Sequence, residues 1–227
     1  MKCLPLILIG LAAVAAAEQP SLSGTIIDAR TLRIQEKVEA LFAAEQYTRA
    51  QFIYLHELAP IGDKYAQYML GFMYEHGVGV NTDLIEASAW YRLAAERGKR
   101  EFVDVRDRSL QFLEDGDRAR ADLRYLELRE TYSDAAVMFR QVEADYDMLM
   151  TAPTGTRIPG GDRAIVMITP DQQGLEFNVQ AAERRLERGL SYLATLLDEP
   201  RFDVEDYRQL DIEALHRSVE DHVARLD

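Results

Sequence analysis

The amino-acid sequence predicts an all-α fold: a short α-solenoid of about two helix hairpins, a C-terminal helical extension, and room for one small β-hairpin. Three observations carry that reading. Apolar residues recur at spacings of three and four through most of the chain, as in helices with one buried face. Glycines punctuate a hairpin unit of about 36 residues, the period of solenoid repeats. From Tyr125 to Leu149 the apolar residues keep a seven-residue rhythm.

The 227 residues are 48% apolar and 29% charged, which is the balance of an ordinary globular protein. Lys and Arg number 26 against 39 Asp and Glu, a net charge of -13 with no basic cluster to meet phosphates. That distribution argues against a nucleic-acid partner. Cys3 is the only cysteine, which excludes a disulfide framework, a cysteine-rich zinc site and a cysteine nucleophile.

Residues 1–17 read as a signal peptide. Met1 and Lys2 give a positive start, an apolar run follows from Cys3, and Ala12 to Ala17 form a small-residue tail before Glu18. The uncharged stretch Cys3 to Ala17 is 15 residues, short of the ~20 that span a bilayer. Cleavage after Ala17 is therefore expected over a retained anchor. The mature chain then keeps 25 basic and 39 acidic residues, a charge of -14, and no membrane span. A periplasmic or secreted location in a bacterial envelope follows.

Residues 18–104 hold the repeats. On the first helix of the clearest copy Ala66, Leu70 and Tyr74 form one stripe, and Gly71 leaves a smooth spot for a neighbour. Gly77 and Gly79 end that helix by supplying positive φ, and Asp83 caps the next. Ala87, Tyr91 and Ala94 or Ala95 make the second packing stripe, Trp90 adds a large anchor, and Gly98 closes the unit. Upstream, Ala50, Tyr54, Ala59 and Gly62 match Ala87, Tyr91, Ala95 and Gly98 at offsets of 37, 37, 36 and 36. Val38, Leu41 and Phe42 belong to that copy's first helix, with Ala44-Glu45-Gln46 where its glycine turn would be. Downstream, Phe102 replaces a small residue and the pattern stops.

In this order of Ala, Leu-Gly, Tyr, Gly-Val-Gly-Val, Asp, Ala, Trp-Tyr, Ala-Ala and Gly the segment resembles the Sel1-like repeat, a relative of the tetratricopeptide repeat. The resemblance implies a right-handed helical stack, in an exported bacterial protein, that binds a protein partner and carries no catalysis. Binding residues are expected beside the packing stripe. Tyr65, Met69, Phe72 and His76 run at spacings of 4, 3 and 4 along the first helix. Exposed, they would take a helix or an extended peptide. Otherwise the C-terminal half covers them.

Residues 105–150 are expected to be dominated by one long helix. A preceding helix runs from Phe102 to Leu113, and Glu114-Asp-Gly-Asp reads as a turn. Tyr125, Leu128, Tyr132, Ala135, Phe139, Val142, Tyr146 and Leu149 then form a heptad seam. The seam packs within the chain or pairs a homodimer; its three tyrosines favour the first. Residues 151–179 read as a loop rich in Pro and Gly, followed by a β-hairpin of Ala164 to Ile168 and Leu175 to Val179. Residues 180–227 hold two amphipathic helices, Ala181 to Leu197 and Val204 to Leu226, the second with Ile212, Leu215, Val219, His222 and Leu226 inward.

Enzyme signatures are missing: there is no Gly-x-Ser-x-Gly elbow, phosphate-binding glycine loop or dinucleotide fingerprint. His216 and His222 point apart on one helix, and four histidines make a poor metal inventory. No cofactor and no metal is expected. The sequence reads as a non-catalytic adaptor or scaffold of the cell envelope, its acidic surface favouring basic segments of a protein partner. The alternative is a cell-wall-related hydrolase or its regulatory subunit.

Overall fold

The computed structural model describes residues 29–151, 164–167, 175–198 and 207–225. The predicted signal peptide, the loop residues 152–163 and Leu226 lie outside them. Two compact units divide the chain, Met1–Asp134 and Ala135–Asp227.

The first unit stacks helix hairpins. Helix α1 (Ala29–Ala43) turns Ile34, Val38, Leu41 and Phe42 toward the core. It ends where Glu45, at φ +58, adopts the left-handed conformation that glycine supplies in the next hairpin. Helix α2 (Tyr47–Ile53) continues through a π turn (Tyr54–Leu58) and a 3-10 turn (Ala59–Ile61) to Gly62 at φ +77. The π turn explains the drop in repeat offset from 37 to 36. Its Ala59 N–H donates to the Tyr54 carbonyl, five residues back, so the extra residue between Tyr54 and Ala59 is absorbed without rotating the helix off its buried face.

Helix α3 (Lys64–His76) starts on Asp63, whose Oδ1 accepts the Ala66 N–H at 2.9 Å. It ends on Gly77 at φ +66. Helix α4 (Leu84–Ala95) starts as expected on Asp83, whose Oδ1 accepts the N–H groups of Ile85 and Glu86 at 2.9 and 3.0 Å. Two glycines allow the close approaches of this repeat. A Cβ on Gly71 would lie 2.6 Å from Tyr91 Cδ1, so α4's ring sits directly on α3's backbone. A Cβ on Gly79 would lie 2.7 Å from the Tyr47 carbonyl carbon, and the Thr48 hydroxyl donates to the Gly79 carbonyl at 3.2 Å. That turn is where one hairpin touches the one before it.

Where the sequence reading has the pattern stop, two further helices follow: α5 (Arg100–Gln111) and α6 (Asp115–Tyr132) each pack on α4 rather than on each other. A buried alanine four residues before a buried tyrosine occurs three times along the unit: Ala50 and Tyr54, Ala87 and Tyr91, Ala121 and Tyr125. Phe102, which breaks the pattern in α5, is buried beside Ala94 and Ala95. Asp115 and Asp117 form the first turn of α6 rather than a loop, where carboxylates oppose the positive end of the helix dipole.

The single long helix is also corrected. Ser133 adopts extended backbone (φ -65, ψ 156), so α6 stops and α7 (Asp134–Thr151) begins anew. Tyr125 and Leu128 are buried with Trp90 and Leu93 in the first unit, and Tyr132 lies 4.9 Å from Trp90. The heptad seam is split rather than continuous, which removes the geometric basis for a dimer along 125–149.

A buried ionic cluster sits at this break. Lys64, 3% exposed, donates to Glu96 Oε2 at 2.7 Å and Gln67 Oε1 at 3.1 Å, and pairs with Asp134 Oδ1 at 2.9 Å. Arg97 binds Asp134 Oδ2 through Nε at 2.8 Å and the Gly62 carbonyl through Nη2 at 3.0 Å. Gln67 donates to the Tyr132 carbonyl at 2.9 Å, and the Asp134 N–H donates to Glu96 at 3.0 Å. Burial opposes charge on both acids. For Asp134, Lys64 and Arg97 together outweigh it and hold the carboxyl below its ordinary 3.8. For Glu96, burial outweighs the one shared lysine and raises the carboxyl above its ordinary 4.5.

In the second unit Asp145 is buried on α7 and takes a paired contact from Arg185 of α8 (Val179–Leu196), Nε at 3.0 Å and Nη2 at 2.6 Å. Gly189 brings α8 onto Val142, 2.5 Å from where a Cβ would stand. Strands β1 (Ala164–Met167) and β2 (Leu175–Asn178) pair antiparallel, Ala164 opposite Asn178. The last predicted helix is shorter: after a 3-10 turn (Tyr207–Gln209), α9 (Ile212–Val223) starts only where Asp211 caps the Ala214 N–H at 2.8 Å. Leu215, Val219 and Val223 are its buried stripe, and His222 is half-buried.

Two expectations follow. Glu45→Gly relieves the left-handed strain against a smaller entropic loss and should raise unfolding free energy by about 0.5–1 kcal/mol, read from urea denaturation. Asp134→Asn leaves Lys64 and Arg97 short of a buried anion and should cost about 3 kcal/mol at pH 7, whereas Glu96→Gln should change stability by less than about 1 kcal/mol. Asp134's contribution is present above its unfolded value near 3.8 and is lost as pH falls through its lower folded value. Glu96 acts oppositely, stabilising as it takes up its proton above 4.5. An acid titration of stability should therefore flatten below pH 4 in the Asn variant.

Candidate partner-binding face

The side chains of α3 divide into two arcs. Ala66, Met69, Leu70 and Met73 enter the core of the first unit. Met69 is 3% exposed, so it is a packing residue and not a contact for a partner. The helix is rotated from the expected phase by about one residue: the core takes the arc through Ala66, Met69, Leu70 and Met73, and Tyr74 moves to its half-buried edge beside Glu86 and Arg124.

The adjoining arc carries Tyr65, Tyr68, Phe72 and His76, the first three packed against the edge of that core. Tyr65 and Phe72 are half-buried, and His76 is exposed with its ring stacked on Phe72 at 4.4 Å. Tyr68 takes the place expected of Met69. Its ring stacks on Phe102 of α5 at 5.4 Å, lies 5.6 Å from Tyr91 and 6.3 Å from Tyr65. Spacings of 3 and 4 through Tyr65, Tyr68 and Phe72 fit a helix as well as those through Tyr65, Met69 and Phe72, so the sequence holds the signal for Tyr68 without ranking it.

The repeat motif lies behind this row. Ala66, Leu70, Ala87, Trp90, Tyr91, Ala94 and Ala95 are all buried, and Gly71, Gly77, Gly79, Asp83 and Gly98 serve backbone geometry. Tyr91 spans the two layers: its ring packs on Gly71 and its hydroxyl donates to Glu75 Oε2 at 2.6 Å.

Burial pushes the Tyr65 phenol up to about 12, aided by Glu39, Tyr68 and Asp63. Tyr68 is raised by burial and by Glu75, with Arg108 pulling the other way. Both hydroxyls stay protonated at neutral pH, and among the described residues neither has a hydrogen-bond partner. Lys99 Nζ lies 5.0 Å from the Phe102 ring centre. The row therefore offers aromatic faces, phenol donors and nearby carboxylates. It can hold a side chain, and it has no nucleophile with a base beside it.

Among the described residues no three or more His, Cys, Asp and Glu side chains gather as a metal site. No described helix is long and apolar enough to cross a membrane. His216 is exposed and stacks on Phe139 at 4.7 Å.

Residues 64–99 match the family model of the Sel1 repeat. Comparison with curated proteins and with solved structures gives no match. Sel1 repeats serve generally as protein–protein interaction modules and are generally non-catalytic. The match spans α3, α4 and the Gly98 turn, the hairpin whose glycines and Asp83 cap meet the motif's backbone demands, so this segment of the chain is similar to a Sel1 repeat.

Proposed function

We propose that this protein is a non-catalytic adaptor or scaffold of the bacterial cell envelope that holds a protein partner on the outward face of α3. The observation that carries the reading is the row Tyr65, Tyr68, Phe72 and His76, which borders the buried stripe of the repeat: the first three pack on its core and stay partly exposed, and His76 is exposed. Partly open aromatic surface is the residue class that dominates protein interfaces. Export rests on residues 1–17, so the working form begins at Glu18.

Benzoylphenylalanine placed at Phe72 of the exported protein, with whole cells illuminated and adducts identified by mass spectrometry, tests the binding face. A covalent adduct specific to Phe72 is expected. None, or the same adducts at the exposed control position Arg188, would remove the face from consideration. N-terminal sequencing of the fractionated protein should begin at Glu18 in the envelope fraction; an intact Met1 in the cytoplasm would refute export.

A further inference from the structure

We propose that the segment bound on this face is cationic: a stretch of partner chain that lays a lysine or arginine side chain across Tyr65, with its charged end toward Glu39. The inference rests on the partner-binding reading above and adds the chemistry of what is bound.

Unpaired negative charge is concentrated at this end of the row. Between Glu36 and Glu86 the chain carries eight acidic and three basic residues. Lys64, one of the three, is buried in the ionic cluster and unavailable to the surface. Glu39 is exposed and has no cationic partner among the described residues, and it lies close enough to act on both Tyr54 and Tyr65. Asp63 is hydrogen-bonded by Gln35 Nε2 at 2.9 Å and by the Ala66 N–H, both neutral donors, so its charge is held in place but not cancelled. Glu75 accepts a neutral phenol from Tyr91 and, among the described residues, has His76 Nδ1 at 3.7 Å as its one potential cation. Elsewhere on the repeat hairpins arginines answer the acids: Arg92 meets Asp122, and Arg124 meets both Glu86 and Glu127.

The opposite edge has the other sign. Lys99 lies over Phe102, and Arg108 acts on Tyr68 and Tyr91. The helices as wholes are mixed in charge, α1 with Arg30, Arg33 and Lys37 and α5 with Glu101, Asp104 and Asp107, but the groups that reach the row differ: Glu39 and Asp63 at the Tyr65 end, Lys99 and Arg108 at the Phe102 end. That polarity gives a bound segment a direction and draws its cation to the Tyr65 end. There a ring face and a carboxylate can act on one ammonium or guanidinium, while the aliphatic stem covers the apolar part of the ring.

The test uses two labelled 12-residue probes on the full mature chain, one alternating Lys with Leu and the other alternating Glu with Leu, followed by fluorescence anisotropy. The lysine probe should bind, the glutamate probe should not, and affinity should fall as salt rises from about 0.05 M to about 0.5 M. Glu39→Gln and Tyr65→Leu should each weaken the lysine probe by about three- to fivefold. Glu130→Gln removes the same charge from an exposed site on α6 and should leave binding unchanged. Equal binding of both probes, or equal losses from Glu39→Gln and Glu130→Gln, would overturn the proposal as general attraction to an acidic protein. The cell crosslink separates the two claims: an adduct at Phe72 whose captured peptide has no Lys or Arg leaves the binding face standing and refutes its cationic preference.

Discussion

One buried ammonium group organises the first unit. Lys64 opens α3, yet its charge is satisfied by Glu96 after α4 and by Asp134 beyond α6, so three helix ends converge on a single point. A buried ion pair gives little net stability against an apolar replacement, because desolvation consumes most of the attraction. Its geometry is demanding, however, and that demand selects one arrangement. Arg97 extends the cluster to Gly62, the last residue of the first hairpin, so both hairpins and the end of α6 are tied to it.

Around that point one buried pair recurs, a tyrosine preceded by an alanine one turn earlier, at 50 and 54, 87 and 91, and 121 and 125. The small residue lets a neighbouring helix approach and the large ring fills the space beyond. Each copy meets the backbone demand differently. The second hairpin uses Gly71 and Gly79, the first tolerates a left-handed Glu45 and absorbs an extra residue in a π turn, and α5, after them, packs the large Phe102 on Ala94 and Ala95. In a linear array each unit needs only compatible neighbours, so such departures are local and do not propagate.

The aromatic row is a by-product of the same packing. Tyr91 lies on Gly71 where the hairpin closes, and its ring and hydroxyl meet Tyr68 and Glu75. Tyr68 in turn lies 6.3 Å from Tyr65 and stacks on Phe102, so neighbouring rings hold the row in place.

Sequence by itself determined the helix hairpin at 64–99, its glycine turns, the Asp83 cap and the buried Ala-Tyr stripes. Each is a local demand that few residue types meet: positive φ favours glycine, and an open helix start favours a short carboxylate. Tertiary structure alone decided the phase of α3, the break at Ser133 and the packing of both α5 and α6 on α4. Met69 and Tyr68 are both large, partly apolar and compatible with helical spacing, so only contact with the core sends one fully inward and leaves the other half-buried at the edge against Phe102. Ser133 interrupts a heptad rhythm that would otherwise run on, and Asp134 is held by Lys64 and Arg97, 70 and 37 residues away in sequence. No local pattern records such partners, because their attraction exists only once the chain has closed around them.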